Sequence, residues 1–269
     1  MNKTLAFLTA PVTVLFSPRV YRDATQSSAG RGVLYSLYVA ALSVVLIMIV
    51  ISFKAMPQVN AFADWTQNNM PVMIWTPAGL SLENGQTTAK LTHPQLGTIA
   101  VFDMTKTTVM PDDMDNTYLL VTAQKVFLKR APGQIEERDI TAAGMRSKQQ
   151  LPPRVRIDGG VAKKLFQNIK NSMAFVVPFL LLPILFMFLL ITNLFYSLAG
   201  LLFNLLRQNK LRYGAIFNLA CFGASAAFVP TWVLLMTAAR VLPLWAGLLI
   251  NLGYMFFAFK VTDKDAKTV

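Results

Sequence analysis

Residues 33–53 read VLYSLYVAALSVVLIMIVISF, twenty-one residues without a charge. About 20 apolar residues cross a hydrocarbon core roughly 30 Å thick. This stretch therefore predicts a membrane-spanning helix, span 1. A second uncharged run covers residues 173–206. As one straight helix it measures about 51 Å at 1.5 Å per residue. That is too long for one crossing and too short for two crossings and a turn. It predicts span 2 near 173–197, followed by a segment over 198–212 whose helix, 198–208, lies in the cytoplasmic interface. There Asn204, Gln208 and Asn209 fall among Leu198, Leu201, Leu202 and Leu205, as an interfacial helix needs. Residues 213–239 predict span 3, closed by Arg240, and residues 241–259 predict span 4, closed by Lys260.

The fold class expected is thus an α-helical integral membrane protein of four spans with a small β-rich extracytoplasmic domain inserted after the first. Composition agrees. Of 269 residues 54% are hydrophobic and 14% charged, with mean hydropathy +0.47. Soluble proteins carry about 25% charged residues. A disordered chain and an ordinary soluble enzyme are excluded on those grounds. The net charge of +12 does not indicate nucleic acid, because the cations flank apolar runs and form no aromatic-interleaved basic stripe. Membrane lipids with anionic headgroups are the expected partners.

Orientation follows from the basic residues near short segments. Lys3, Arg19, Arg22 and Arg31 precede span 1, and Arg207, Lys210 and Arg212 lie between spans 2 and 3. Lys260, Lys264 and Lys267 follow span 4, whereas the connection between spans 3 and 4 carries only Arg240. Both termini are expected in the cytoplasm of a bacterial inner membrane. The apolar run at 5–16 ends at Ser17-Pro18-Arg19 without a small-residue cleavage motif, so a retained segment is expected. Residues 3–24 read as an amphipathic helix in the inner interface, bent at Pro11, with Leu5, Leu8, Val12, Leu15 and Phe16 on the apolar face. Arg19 and Arg22 on it, and Arg31 after it, are the expected membrane-interface cations.

Four parts result: a cytoplasmic N-terminal segment at 1–32, span 1 at 33–53, an extracytoplasmic domain at 54–172, and a three-span bundle with a short tail at 173–269. Most of the thirteen acidic residues lie in 54–172. About five strands are expected there, at 73–75, 80–82, 98–102, 118–122 and 126–128, with Asn84-Gly85 as a hairpin turn. Residues 56–70 and 160–172 read as helical extensions of spans 1 and 2.

The opening Phe16-Ser17-Pro18-Arg19-Val20-Tyr21-Arg22-Asp23 resembles that of the bacterial membrane family known as domain of unknown function 1189. Gly85 after Leu82, the strand ending at Asp103, the entry Leu211-Arg212-Tyr213-Gly214 to span 3, and Pro230 within it are similar to that family too. The positions carrying the resemblance are Ser17, Pro18, Tyr21, Gly85, Asp103, Tyr213 and Pro230. The family looks related to the Yip superfamily of multispan membrane proteins. The resemblance implies topology; it brings no catalytic residues.

No G-x-S-x-G, H-E-x-x-H, P-loop or G-x-G-x-x-G is present. No catalytic, cofactor-binding or metal-binding residues and no cofactor are expected. Cys221, among Ala220, Gly223 and Ala224, reads as packing. His93 reads as a solvated turn residue. Asp112, Asp113 and Asp115 read as an acidic turn, because the EF-hand template fails at Tyr118 and Gln124. Glu136-Glu137-Arg138-Asp139 reads as a solvated loop, and Asp103 as a strand-ending cap.

No span holds a charge, which argues against proton-coupled transport. Asn193, Asn218 and Asn251 are the polar residues that a transporter or lipid-handling protein would place at a membrane-depth cavity. The function expected is a non-catalytic scaffold or accessory subunit with a protein partner or a second copy. Transport, or ligand sensing through Asp103 or Asp112, is the alternative.

Overall fold

The computed structural model describes residues 3–108, 111–114, 117–131, 134–141, 154–208, 210–238 and 240–265. The chain forms two compact units, residues 1–57 with 173–269, and residues 58–172.

The helices are α1 (Lys3–Thr13), α2 (Pro18–Thr25), α3 (Ala29–Val50), α4 (Met56–Asn69), α5 (Gly159–Leu205), α6 (Tyr213–Ala238) and α7 (Leu244–Asp265). A π-turn, Ile51–Ala55, joins α3 to α4. Four stretches are long and apolar enough to cross a membrane: Ala29–Asn69, Gly159–Leu205, Tyr213–Ala238 and Trp245–Thr262. The four expected apolar spans are present.

In the helical unit α6 is central. Every residue from 215 to 226 is buried. The small side chains of Ala220, Gly223, Ala224 and Ala226 make this possible, since they let neighbouring backbones approach. The small-residue face of span 3 is therefore internal. Two glycines on the facing helices complete the fit. A Cβ on Gly32 of α3 would stand 2.5 Å from Asn218 Oδ1 and 3.1 Å from Cys221 Sγ. One on Gly200 of α5 would stand 2.6 Å from Ile216 Cγ2 and 2.7 Å from Met255 Cε. Tyr35 stacks on Phe222 with ring centroids 4.0 Å apart.

Two expectations are corrected here. The helix α5 runs unbroken through Pro178 and Pro183 to Leu205, so 198–205 continues span 2 and is not a separate helix. Beyond Gly159 at its start, its buried residues are Leu189, Asn193, Ser197, Gly200 and Asn204. They recur every three or four positions, so Asn204 belongs to an inward stripe. The other faces remain apolar and bare, with Phe175 80% and Phe179 79% exposed.

The N-terminal segment is two helices rather than one bent at Pro11. The break falls at 14–17, where Ser17 is extended and Pro18 takes the first helical position that suits its fixed φ. Ala10, Val14, Tyr21 and Ala24 are buried in the helical core, whereas Leu8, Val12 and Phe16 point outward.

The second unit holds eight strands in two sheets among the described residues, not five. The first sheet orders β1 (Met73–Thr76), β2 (Gly79–Leu82) and β8 (Val155–Ile157) as β2-β1-β8, all antiparallel. The second runs β3 (Thr88–His93), β4 (Gly97–Asp103), β5 (Leu119–Val121), β6 (Lys125–Ala131) and β7 (Gln134–Asp139) in sequence order, with β4 and β5 parallel. Neighbours on β5 face opposite ways. Val121 joins the core of Met73, Trp75, Leu80, Leu82, Leu91 and Phe102, while Leu120 joins Met114 and Phe127.

The β1–β2 hairpin turns at Pro77 and Ala78. Asn84-Gly85 is no hairpin turn, because β2 pairs with β1 and β3 with β4. Gly85 has φ 66° and open space around it. Gly79 is more demanding, with φ 140° and a Cβ that would stand 2.3 Å from the Ala123 carbonyl oxygen, and Gly159 allows no Cβ either, since it would stand 2.0 Å from the Gln67 carbonyl oxygen. Within this unit α4 and the start of α5 are joined by Lys163–Asp64 (2.7 Å) and by Phe62 edge-on to Phe166.

Candidate functional site

The interior of the helical unit is where polar side chains converge. Asn193, Asn218 and Asn251 are 0%, 0% and 1% exposed. Burying an amide without partners costs several kcal/mol in an apolar setting, so where its bonds go decides its role.

Asn218 Oδ1 accepts the Gly32 N–H at 3.0 Å. Its Nδ2 reaches the carbonyls of Ala24, Ser27 and Ser28 at 3.0–3.1 Å. One side chain on α6 thereby holds α2, the following turn and α3. Asn193 Nδ2 donates to Ser36 Oγ at 3.1 Å, and the Cys221 thiol lies in hydrogen-bonding reach of both. Tyr35 shares a hydrogen bond with Ser225 at 2.5 Å, and Trp232 Nε1 donates to Ser43 Oγ at 3.0 Å. These groups bond helix to helix.

Asn251 differs. Its amide interacts with the Tyr196 hydroxyl, and its Oδ1, like that of Asn193, has no hydrogen-bond partner among the described residues; what sets it apart is the space it faces. Asn251 and Tyr196 line a cavity of about 280 Å³ between α5, α6 and α7. Leu189, Phe228 and Leu248 supply apolar wall, and Val241, Leu242 and Pro243 of the α6–α7 connection line it too. Thr192 and Thr231 also line it, but their hydroxyls donate to their own helices, at the Phe188 and Ala227 carbonyls. Of the three asparagines expected at a cavity, only Asn251 lines this one.

At the other end of α5, Asn204 Oδ1 accepts the Leu211 N–H (2.9 Å) while its Nδ2 donates to the Leu211 carbonyl (3.1 Å). Arg207 is buried; it donates to Thr262 Oγ1 at 2.8 Å and lies over the Phe259 ring. The sequence counts it among the basic residues of the connection between spans 2 and 3; the fold uses it to tie the end of α5 to α7.

The positions carrying the family resemblance do not converge. Ser17 precedes α2 without a side-chain cap bond, and Pro18 starts that helix. Tyr21 is buried edge-on to Phe257, and Tyr213 shares a hydrogen bond with Ser197 at 3.0 Å. Pro230 sits inside α6. Arg19 and Arg22 are exposed on α2, and Arg31 Nη1 donates to Ser27 Oγ at 2.8 Å.

In the β unit Asp103 caps the end of β4. Its Oδ1 accepts the Thr105 hydroxyl at 2.6 Å and the Thr105 N–H at 3.1 Å. The hydroxyl above all holds its pKa below the usual carboxylate range. The same Asp-x-Thr arrangement recurs after β7. Asp139 accepts the Thr141 N–H (2.8 Å) and hydroxyl (2.7 Å), which lower its pKa likewise.

The mixed-charge stretch 136–139 is edge strand β7, not a loop. Glu136 is gripped by Arg138 and Arg130, and Lys125 pairs with Glu137 at 2.5 Å. Asp113 lies in a 3₁₀ turn, Pro111–Met114, and pairs with Lys106; Asp115 lies outside the described residues. His93 does find partners. It stands edge-on to Trp65 with centroids 4.6 Å apart, and its Nδ1 accepts the Gln95 N–H at 3.2 Å. Among the described residues no group of three or more His, Cys, Asp or Glu is placed to hold a metal ion.

The family described as Protein of unknown function (DUF1189) matches residues 12–259. The chain belongs to that family. No curated protein and no solved structure matches it.

Proposed function

We propose that this member of the DUF1189 family is a four-span protein of the bacterial inner membrane that acts as a non-catalytic scaffold or accessory subunit. Both termini are cytoplasmic in this reading, and the β unit is held on the outer side. The observation that carries it is the use made of the polar groups. Asn218, Asn193, Asn204 and Arg207 bond helices or connections to one another. Asp103 and Asp139 cap strands, and Asp64, Glu83, Asp113, Glu136 and Glu137 pair with cations. Groups bonded in this way fix an architecture. A general acid or base needs a proton within reach of a substrate.

Orientation is supported by Arg19, Arg22, Lys210, Arg212 and Lys260, which flank the apolar helices on the side assigned to the cytoplasm. These cations also suit anionic headgroups. Kinship with the Yip superfamily belongs to the same proposal and rests on the multispan plan.

Extraction of the tagged chain into native nanodiscs, with stoichiometry read by native mass spectrometry, tests the role. A second copy or a companion protein in fixed ratio is the expected result. A lone monomer, recovered from native membranes at its natural abundance, overturns it. A second reading, lipid handling, is favoured by the cavity at Asn251.

A further inference from the structure

We infer that the cavity between α5, α6 and α7 is a lipid site: it takes one acyl chain of an amphiphile whose anionic headgroup meets Arg240 and Lys54. The inference deepens the lipid-handling reading and requires the membrane placement, but it is independent of the scaffold role.

Size and lining define the chain. A volume of about 280 Å³ holds on the order of ten water-sized groups at roughly 30 Å³ each, the room needed by about ten chain carbons. Among the described residues no charged side chain lines it. Phe188, Val241 and Leu248 line the cavity and are also exposed on the outside of the unit. The cavity is therefore continuous with a surface that hydrocarbon would cover in a bilayer. An empty apolar void leaves its lining without contact partners, and a chain sliding in from the side restores them. The Tyr196 hydroxyl and Asn251 amide give the site a polar point within an otherwise greasy wall.

Charge defines the other end of the ligand. Arg240 is exposed and directly precedes Val241. The Lys54 ammonium lies 3.2 Å from the Thr237 carbonyl, three residues before Arg240. Lys54 and Arg240 are thus both placed at the C-terminal end of α6, next to the connection that lines the cavity. A carboxylate or phosphate suits both, and either a free fatty acid or an anionic phospholipid supplies one. An aqueous small molecule would leave the apolar wall unmatched.

The test uses the full chain in phosphatidylcholine nanodiscs with three photoreactive probes. These are a fatty acid, a phosphatidylglycerol and a phosphatidylcholine, each with a diazirine on the acyl chain, and labelled peptides are mapped by mass spectrometry. The expected result is labelling by an anionic probe at the peptides of Tyr196, Ala227 and Leu248, at least fivefold above that at Phe175 and Phe179. Ala227→Trp, which fills the space facing Gly247, should abolish that excess and leave labelling at Phe175 and Phe179 unchanged. Lys54→Gln with Arg240→Gln should remove the preference over the phosphatidylcholine probe. Which anionic probe labels more strongly identifies the source of the headgroup.

Equal labelling of cavity and bare helix in the unmodified chain overturns the inference without needing any variant. So does equal labelling by all three probes. Release of the chain from membranes by alkaline carbonate overturns the membrane placement itself, a separate failure.

Discussion

Asn218 and Gly32 hold each other across the centre of the helical unit. The side-chain oxygen of one accepts the backbone N–H of the other at 3.0 Å, and Gly32 must lack a Cβ for that oxygen to fit. The same amide serves three carbonyls at the α2–α3 turn. Asn218→Leu keeps the approximate volume and leaves those groups without partners. A buried group left unsatisfied costs about 1–3 kcal/mol. A clear fall in the thermal midpoint of the detergent-solubilised chain is expected. Asn218→Asp should be no better, since it loses the donors. Unchanged midpoints in both variants would show that the amide is not holding the turn.

Gly32→Ala tests the close approach directly. Its Cβ would overlap Asn218 Oδ1 and crowd Cys221 Sγ, and overpacking of this kind costs about 1–3 kcal/mol. Gly253→Ala is the matched control. It lies in α7 with nothing within 4 Å of its Cβ, so it should be neutral or stabilise by up to about 1 kcal/mol through helix propensity. Equal losses in the two variants on a denaturant titration would refute the packing argument.

Much of this was legible in the residues because a hydrocarbon solvent leaves a crude signature: long uncharged runs. All four apolar helices declare themselves that way. What stayed hidden depended on tertiary partners. Asn204 reads as an interfacial polar residue until it is set in line with Leu189, Asn193, Ser197 and Gly200, whose spacing points it inward. The strand β7 reads as a loop because its charges are Glu136, Glu137, Arg138 and Asp139, and its order comes from pairing with β6. Charged edge strands are common where an edge must resist further pairing. Gly79 gives no signal distinguishing it from Gly85, because the obstacle at Ala123 is distant in sequence. The cavity at Asn251 was foreshadowed only by residue type. Nothing in the spacing separates Asn251 from Asn193 and Asn218, whose amide groups reach across to neighbouring helices.

The two Asp-x-Thr caps set an acid limit on the β unit. Asp103 and Asp139 both have pKa values below the ordinary carboxylate range. At a pH between the folded and unfolded values the unfolded chain binds more protons, so stability rises with pH there. The stabilisation is complete above about pH 4, the unfolded carboxylate value, and is lost as pH falls through the lower folded values. Unfolding of the full chain in detergent, followed between pH 2.5 and 6, should show this loss. Asp103→Asn should be less stable than the parent at pH 6 and converge with it at the acid end. A gap that stays constant across the range would mean that ionisation of Asp103 contributes nothing.

The position of the β unit relative to the bilayer can be read with cysteines, because Cys221, on α6, is buried and should stay silent to impermeant reagents. Gly85 lies in open space on the β unit, and Lys210 lies exposed between α5 and α6. In the proposed topology these two sites face opposite compartments. Gly85→Cys should label with a membrane-impermeant maleimide in intact spheroplasts. Lys210→Cys should label only after permeabilisation, since the proposal puts the cations around it on the cytoplasmic side. Labelling of both in intact cells, or of neither, would place the two loops together. An even number of crossings between them would follow, which would overturn the single passage that the proposal assigns to α5.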